Sequence, residues 1–273
     1  MSHSVCEPLG RASIWAGLSQ KAQHHVVRLD VVESTESTNT ELMQRPIPPA
    51  GASEVLLAEA QTAGRGRRGR NWLTTPGSAL CLSLSWTFQE MPRSTSALSL
   101  AIGVCVLRAL TALGVRDTRL KWPNDILLRD RKLGGILIEL RSEAGAPAGV
   151  VIGIGLNMAL ADDLAGKIAE LGLPAADLSS SGYGSVSRNA LAAELIEACM
   201  DGLLEFEREG LRPFIDEWGR ADGLYGQQVV VQSAEESSRG IARGVDLTGA
   251  FIIETNQGLK KFISGEVTVR IQA

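Results

Sequence analysis

The sequence predicts an α+β protein: a mixed, mainly antiparallel sheet flanked by helices, followed by a small C-terminal β-barrel of SH3-like type. Three observations carry this. Between residues 120 and 154, short β-rich runs follow one another across turns of only a few residues. Such spacing suits hairpins, because a parallel crossover needs a dozen residues or more. Long helical segments flank this region on both sides. From Gly226 onward the composition changes to five short β-rich pieces separated by Gly, Asp, Asn and Ser.

In chain order, the first twenty-odd residues have no clear pattern and are expected to form a tail, with a short helix at most. Val26 to Val32 is β-branched and predicts a strand. Ser34 to Asn39 offers several N-caps, with a helix beginning over Thr40 to Gln44. Glu54 to Ala60 predicts a second strand. In Leu80 to Trp86, large apolar residues alternate with Cys81, Ser83 and Ser85, as in a strand covered more heavily on one face. Ala97 to Leu113 is apolar nearly all round and predicts a buried helix. Leu120 to Trp122, Ile126 to Leu128, Gly135 to Leu140 and Val150 to Ile154 follow as strands, then Asp162 to Leu171, Asn189 to Arg208 and Leu211 to Trp218 as helices. The C-terminal pieces are QVVVQ, RGIARGV, AFIIET, LKKFI and EVTVRI.

Composition excludes several functions. The chain has 273 residues, enough for one large domain and a small one. Its net charge of −4 argues against non-specific nucleic-acid binding. No apolar run is long enough to span a bilayer, and residues 1–23 lack the apolar core of a signal peptide, so a cytoplasmic location is expected. Cys6, Cys81, Cys105 and Cys199 form no CxxC pair and are expected as free thiols. His3, His24 and His25 are the only histidines, which leaves a Ser-His-Asp triad or HExxH zinc site only the extreme N-terminus. The chemistry must run on Lys, Arg, Asp, Asn and backbone groups.

Three local motifs suit such chemistry. Gly64-Arg65-Gly66-Arg67-Arg68-Gly69-Arg70 alternates glycines, which free backbone N–H groups, with guanidinium forks suited to phosphate or carboxylate. Its GxGxxG match is accidental, since Pro76 and a strand follow where a dinucleotide fold opens a helix. No Gly-Lys-Ser/Thr follows to make a P-loop. A solvated basic turn or a nucleic-acid patch remains an alternative. Lys121-Trp122-Pro123-Asn124-Asp125 is either turn chemistry or a pair of polar side chains presented from a strand end. Lys132-Leu133-Gly134-Gly135 is either an ordinary hairpin lysine or a point charge with an unobstructed approach to a ligand.

In combination, the order STN, QTAGRGRRGRNW, KWPND, KLGGILIE, GIGLN, then RGVD, GAFIIE and SGEV, resembles the biotin–protein ligase family over about Val26 to Arg270. The resemblance implies a catalytic domain related to class II aminoacyl-tRNA synthetases. It divides the chain into a tail (1–25), a biotin- and ATP-binding domain (26–223) and the C-terminal barrel (224–273). It implies that Ser37, Thr38, Asn39 and Gln61 contact biotin, with Gly134 and Gly135 beside them. Arg65, Gly66 and Arg67 would close over biotin and the adenylate phosphate. Lys132 would serve the reacting carboxylate and α-phosphate. Arg67, Arg68, Arg70, Trp72, Asn124, Asp125, Lys132, Asn157 and Arg270 would line the ATP side. ATP with Mg²⁺ is implied, with a biotin carboxyl carrier protein as partner. Adenine contacts within 162–181 stay unassigned. About 25 residues before the first strand are too few for the winged helix-turn-helix of the family's repressors, so specific DNA binding is not expected. A monomer or weak homodimer is expected. The rival readings are a lipoate–protein ligase, which shares the fold and adenylation logic, and a nucleic-acid-binding regulator.

Overall fold

A computed structural model of the protein describes residues 7–90, 92, 97–141, 149–170, 174–232, 237–263 and 268–271. The elements run α1 (Arg11–Ala16), α2 (Gln20–His25), β1 (Val26–Thr35), α3 (Thr38–Gln44), β2 (Ser53–Gln61), β3 (Ala79–Thr87) and α4 (Leu98–Ala112). They continue with β4 (Thr118–Lys121), β5 (Asp125–Leu128), β6 (Arg131–Arg141), β7 (Gly149–Asn157), α5 (Asp162–Glu170), α6 (Arg188–Glu209) and α7 (Ile215–Ala221). The C-terminal strands are β8 (Gln228–Gln232), β9 (Ser237–Val245), β10 (Phe251–Thr255), β11 (Gly258–Phe262) and β12 (Thr268–Ile271).

Strands β1 to β7 form one sheet in the order β1-β2-β3-β7-β6-β5-β4. Only β1 and β2 pair in parallel, α3 being their crossover; the hairpins expected from spacing account for β4 through β7. The sheet therefore has two blocks, β1–β2–β3 and β4 through β7. They meet at one antiparallel seam from Ala79 opposite Asn157 to Thr87 opposite Gly149.

One face of the sheet carries the main core, where Leu80, Leu82, Leu84 and Trp86 of β3 pack with α4 and α6. Helix α4 is buried along most of its length, as its apolar circumference predicts. The opposite face differs from expectation. Cys81, Ser83 and Ser85 are nearly as buried as the leucines, because α3 packs over this face of β3. Arg141 holds the C-terminal end of α3, donating to the carbonyls of Leu42 (3.1 Å) and Arg45.

The segment expected as a tail is folded over its described part. Helices α1 and α2 bury Ile14, Leu18 and Ala22 and pack on α6. The N–H of Gly10 donates to Asn189 Oδ1, and Ser187 Oγ donates to Glu7. Arg188, 1% exposed, ion-pairs with Glu59 at 2.6 Å, and Glu59 also accepts from the N–H of Leu9. The apolar residues are too sparse there to show a period, and their partners lie some 180 residues away. The π-type turn Ser179–Tyr183 was also not foreseen.

Strands β8 to β12 make a separate antiparallel sheet ordered β11-β10-β9-β8-β12, the expected small β-domain. The SGEV motif, Ser264 to Val267, lies outside the described residues. Trp122 docks this sheet onto the first: its Nε1 donates to the carbonyl of Gly249 at 3.1 Å, and its ring stacks on Phe251 at 5.1 Å. Asp222 lies at the junction. Its Oδ1 accepts from the N–H of Leu224, while Oδ2 is buried without a hydrogen-bond partner. Burial pushes its pKa up to about 6, against the backbone N–H groups of Leu224 and Tyr225.

A raised carboxyl pKa favours the folded state at low pH, and that contribution is lost as pH rises through about 6. Asp222→Asn keeps the shape and removes the buried charge. It should raise stability by about 1–3 kcal/mol at pH 8, an advantage that vanishes below about pH 4. Urea unfolding across this range checks it; a pH-independent difference would contradict the assignment.

Candidate functional site

A cavity of about 730 Å³ opens over β3, β7 and β6 beside α3. Strand alternation explains why it is there. On β7, Gly153, Gly155 and Asn157 face the cavity while Ile152, Ile154 and Leu156 point to the core. A side chain at Gly153 would collide with the Asn39 amide, and a Cβ at Gly155 would stand 2.6 Å from Trp72. The glycines leave room for these two side chains against bare backbone.

One end of the cavity is neutral and polar. Ser37 caps α3 by accepting from the N–H of Thr40, which sets Thr38 and Asn39 in the first helical turn. Gln61 Oε1 accepts from the N–H of Thr38 at 2.8 Å and lies 3.1 Å from its hydroxyl. Ser83 Oγ sits 2.7 Å from Thr38 Oγ1 and 2.6 Å from Asn39 Oδ1. The Cys81 thiol, with Trp72 and Gln61 against it, is held protonated by burial, its pKa pushed up to about 12.

The other end is cationic. Arg67, Arg68, Arg70, Lys121, Lys132, Lys167 and Arg270 line the cavity there, Arg65 lines it nearer Thr40 and Glu139, and the only carboxylate among its described lining residues is Asp125. Lys132 Nζ lies 2.5 Å from Asp125 Oδ1. The Lys132 main chain is held on the far side, donating to the carbonyl of Pro174 and accepting from the N–H of Ala176. Burial pulls the pKa of Lys121 down; Asp125 opposes this, while Lys132, Arg270 and Arg70 add to it. Burial likewise lowers that of Arg67, whose Nη1 donates to Asn124 Oδ1 at 3.3 Å. Asn124 in turn donates to the carbonyl of Ile136 at 2.8 Å. Asn157, 2% exposed, donates to the carbonyl of Ala176, while its Oδ1 is buried with no protein partner. A cluster of cations, with Arg67, Lys121 and Lys132 partly buried and an unused acceptor beside them, suits a polyanion that also carries a donor.

The glycine–arginine stretch closes as a tight loop over the cavity. The N–H of Trp72 donates to the carbonyl of Gly64, Arg65 bridges Asn71, and the N–H of Gly66 donates to the carbonyl of Arg70 at 2.7 Å. No helix opens here beyond the three-residue turn Arg67–Gly69. Gly69 is needed for its φ of +70°, and Gly64 because Trp72 crosses directly against it.

The residues named from sequence converge on this cavity, with one exception. Gly134 does not line it; its missing side chain lets β6 approach the carbonyl of Gly155 and the side chain of Leu156 on β7. The role the structure shows for it is packing between strands. Sequence reasoning assigned no role to Lys121, Cys81 or Ser83, nor to Gly153 and Gly155. A glycine at every second position of a strand was the available signal for the last two. Lys167 and Ile168 of α5 reach the cavity from the stretch that had stayed unassigned.

The family model described as "Biotin/lipoate A/B protein ligase family" matches residues 31–157, and that described as "Biotin protein ligase C terminal domain" matches 224–270. The chain is 36% identical over 269 residues to the "Bifunctional ligase/repressor BirA" of Escherichia coli, covering 98% of this chain and 81% of that protein. It is 33% identical over 245 residues to the "Biotin--[acetyl-CoA-carboxylase] ligase" of Mycobacterium tuberculosis, with 88% of each covered. In fold it matches the Aquifex aeolicus biotin protein ligase in complex with biotin and ATP, with a TM-score of 0.77 at 24% identity over 90% of this chain and all of that one.

Gly155→Ala should drive the Trp72 indole from its seat. The expected cost is about 1–3 kcal/mol of stability together with a changed near-UV circular dichroism spectrum. Gly166→Ala, in open space on α5, is the control and should leave the spectrum unchanged.

Proposed function

This chain belongs to the biotin protein ligase family, and on that footing we propose how its residues share the work of ATP-dependent biotinylation. The enzyme makes biotinyl-adenylate from biotin and ATP, then passes biotin to a lysine of a biotin carboxyl carrier protein. The observation that carries our assignment is the cavity's division into a neutral hydrogen-bonding end and a cationic end. Biotin's uncharged ureido ring suits the first, formed by Ser37, Thr38, Asn39 and Gln61. Its carboxylate and the ATP phosphates suit the second.

Adenylation breaks the bond between the α-phosphorus and the bridging oxygen of pyrophosphate, while a biotin carboxylate oxygen bonds to that phosphorus. In the transfer step, a carrier amine attacks the acyl carbon, AMP leaves and the amine loses a proton. Substitution of this kind needs alignment and charge stabilisation more than a proton relay, so a site without histidine suffices. Lys132, beside Asp125 at the cationic end, would balance charge on the reacting carboxylate and α-phosphate. Asp125 keeps its ammonium extended until the anions arrive. Lys121, Arg68, Arg70 and Arg270 would hold the polyphosphate. Trp72, Asn124 and Asn157 would face the nucleoside, with Ile168 of α5 beside the base. Arg65, Gly66 and Arg67 would close over the adenylate and exclude water.

No cluster of three His, Cys, Asp or Glu capable of holding a metal occurs among the described residues. Asp125 as the lone carboxylate at the cavity wall fits a Mg²⁺ that enters with ATP and takes most of its ligands from phosphate and water. Bound there, it would offset phosphate charge.

Lys132→Ala should lower biotin-dependent pyrophosphate release by roughly 10²-fold or more while the protein stays folded. Near-normal release would refute its role at the reacting centre. Arg67→Gly should instead let adenylate escape, read as biotinylation of bystander proteins added in trans; tight retention by this variant would refute the lid.

A further inference from the structure

Glu139 lies on β6 between Leu137, which lines the cavity, and Arg141, which holds the end of α3. It does not line the cavity itself, and its side chain is 19% exposed. Each carboxylate oxygen serves a different element. Oε2 accepts from Asn39 Nδ2 at 2.9 Å, and Oε1 meets Arg65 Nη1 at 2.9 Å. The other contacts of those two donor groups are longer: 3.3 Å from Asn39 Nδ2 to the carbonyl of Leu137, and 3.4 Å from Arg65 Nη1 to Thr40 Oγ1.

Two consequences follow from the chemistry of a carboxylate, which when ionised only accepts. First, it decides which way the Asn39 amide points. With Nδ2 committed to Glu139, Oδ1 must face Ser83, whose hydroxyl proton is drawn to it at 2.6 Å. Ser83 has one proton for two acceptors, Asn39 Oδ1 and Thr38 Oγ1, so the amide orientation held by Glu139 bears on the donor and acceptor directions at the neutral end of the cavity from outside it. Second, it holds the first arginine of the glycine–arginine loop at the rim. Three neighbouring arginines would otherwise favour opening by mutual repulsion.

We propose that Glu139 is a positioning residue of the ligase: one carboxylate that fixes the hydrogen-bond polarity of the biotin end and tethers the lid in a partly closed starting position. The inference rests on the lid and biotin-end roles proposed above, but its physical core, the tether, can be measured without turnover.

The experiment compares the full-length protein with its Glu139→Gln, Glu139→Asp, Arg65→Ala and doubly substituted Arg65→Ala/Glu139→Ala variants. Glu139→Gln is nearly isosteric, and its thermal melt certifies the fold. In the ligand-free protein, amide hydrogen exchange over Gly64 to Trp72 should quicken by roughly threefold to tenfold in Glu139→Gln. Glu139→Asp, which keeps the charge, should restore part of the protection. Removing both partners should add little beyond removing Arg65 alone. In turnover, Glu139→Gln should raise KM for biotin by about tenfold with kcat changed much less, and should leak adenylate to bystander proteins. Unchanged loop exchange would overturn the tether, whatever the activity. Faster exchange with unaltered biotin KM and adenylate retention would overturn the positioning role. Failure of the unaltered protein to form biotinyl-adenylate would instead count against the function proposed above and leave the exchange comparison intact.

Discussion

Everything in the cavity depends on a patch of sheet that carries no side chains on one face. Gly153 and Gly155 present bare backbone on β7, and the Asn39 amide and the Trp72 indole come to rest there. Because those two groups bring α3 and the end of the glycine–arginine loop with them, two elements distant in sequence are registered against one strand. Gly134 makes the same bargain from the neighbouring strand, letting β6 lie close enough to set Lys132 and Asn157 side by side. Any side chain at these three positions would separate layers that must touch. Backbone strain plays no part here, since none of the three has a positive φ.

A second constraint is electrostatic. The protein is acidic as a whole, yet eight cations gather around one carboxylate in a single cavity. Like charges at such density are unfavourable, and partial burial makes them more so. Lys132 pairs with Asp125, and Arg65 with Glu139. A polyanion entering the cavity relieves the repulsion, so the arrangement of these charges itself favours binding.

Much of this was legible in the sequence, and the exceptions share a cause. Hairpin spacing identified the antiparallel part of the sheet, and the apolar circumference of Ala97 to Leu113 identified the buried helix. The motifs at Arg65 to Arg70, Asn124, Asp125 and Lys132 marked the cationic end. These signals are local: each is written within a dozen residues. What stayed hidden is settled between distant segments. Trp122 sits inside a recognised motif, yet part of its work is to dock the second sheet through Gly249 and Phe251. Glu139 looks like an ordinary strand-end acid until Asn39 and Arg65 are brought to it. Helices α1 and α2 lack a periodic apolar face because their burial is shared with α6. Gly134 and Gly135 are indistinguishable as letters, and only register shows that one faces the cavity and the other faces β7.

The seam between β3 and β7 has a consequence for how such a protein can change over evolutionary time. The neutral end of the cavity is built almost wholly from the block 26–87, whereas the cationic end draws on both blocks: Arg67, Arg68 and Arg70 come from the loop of the first, and Lys121, Asn124, Asp125, Lys132 and Asn157 from the second. The two blocks meet through main-chain bonds along nine paired positions, which are indifferent to side-chain identity where the faces are small. Substitutions around Ser37 to Asn39 and Cys81 to Ser83 can therefore accumulate in the first block while the second block's share of the cationic end is inherited unchanged. A fold divided in this way can explore new acids to activate without relearning how to hold the nucleotide that activates them.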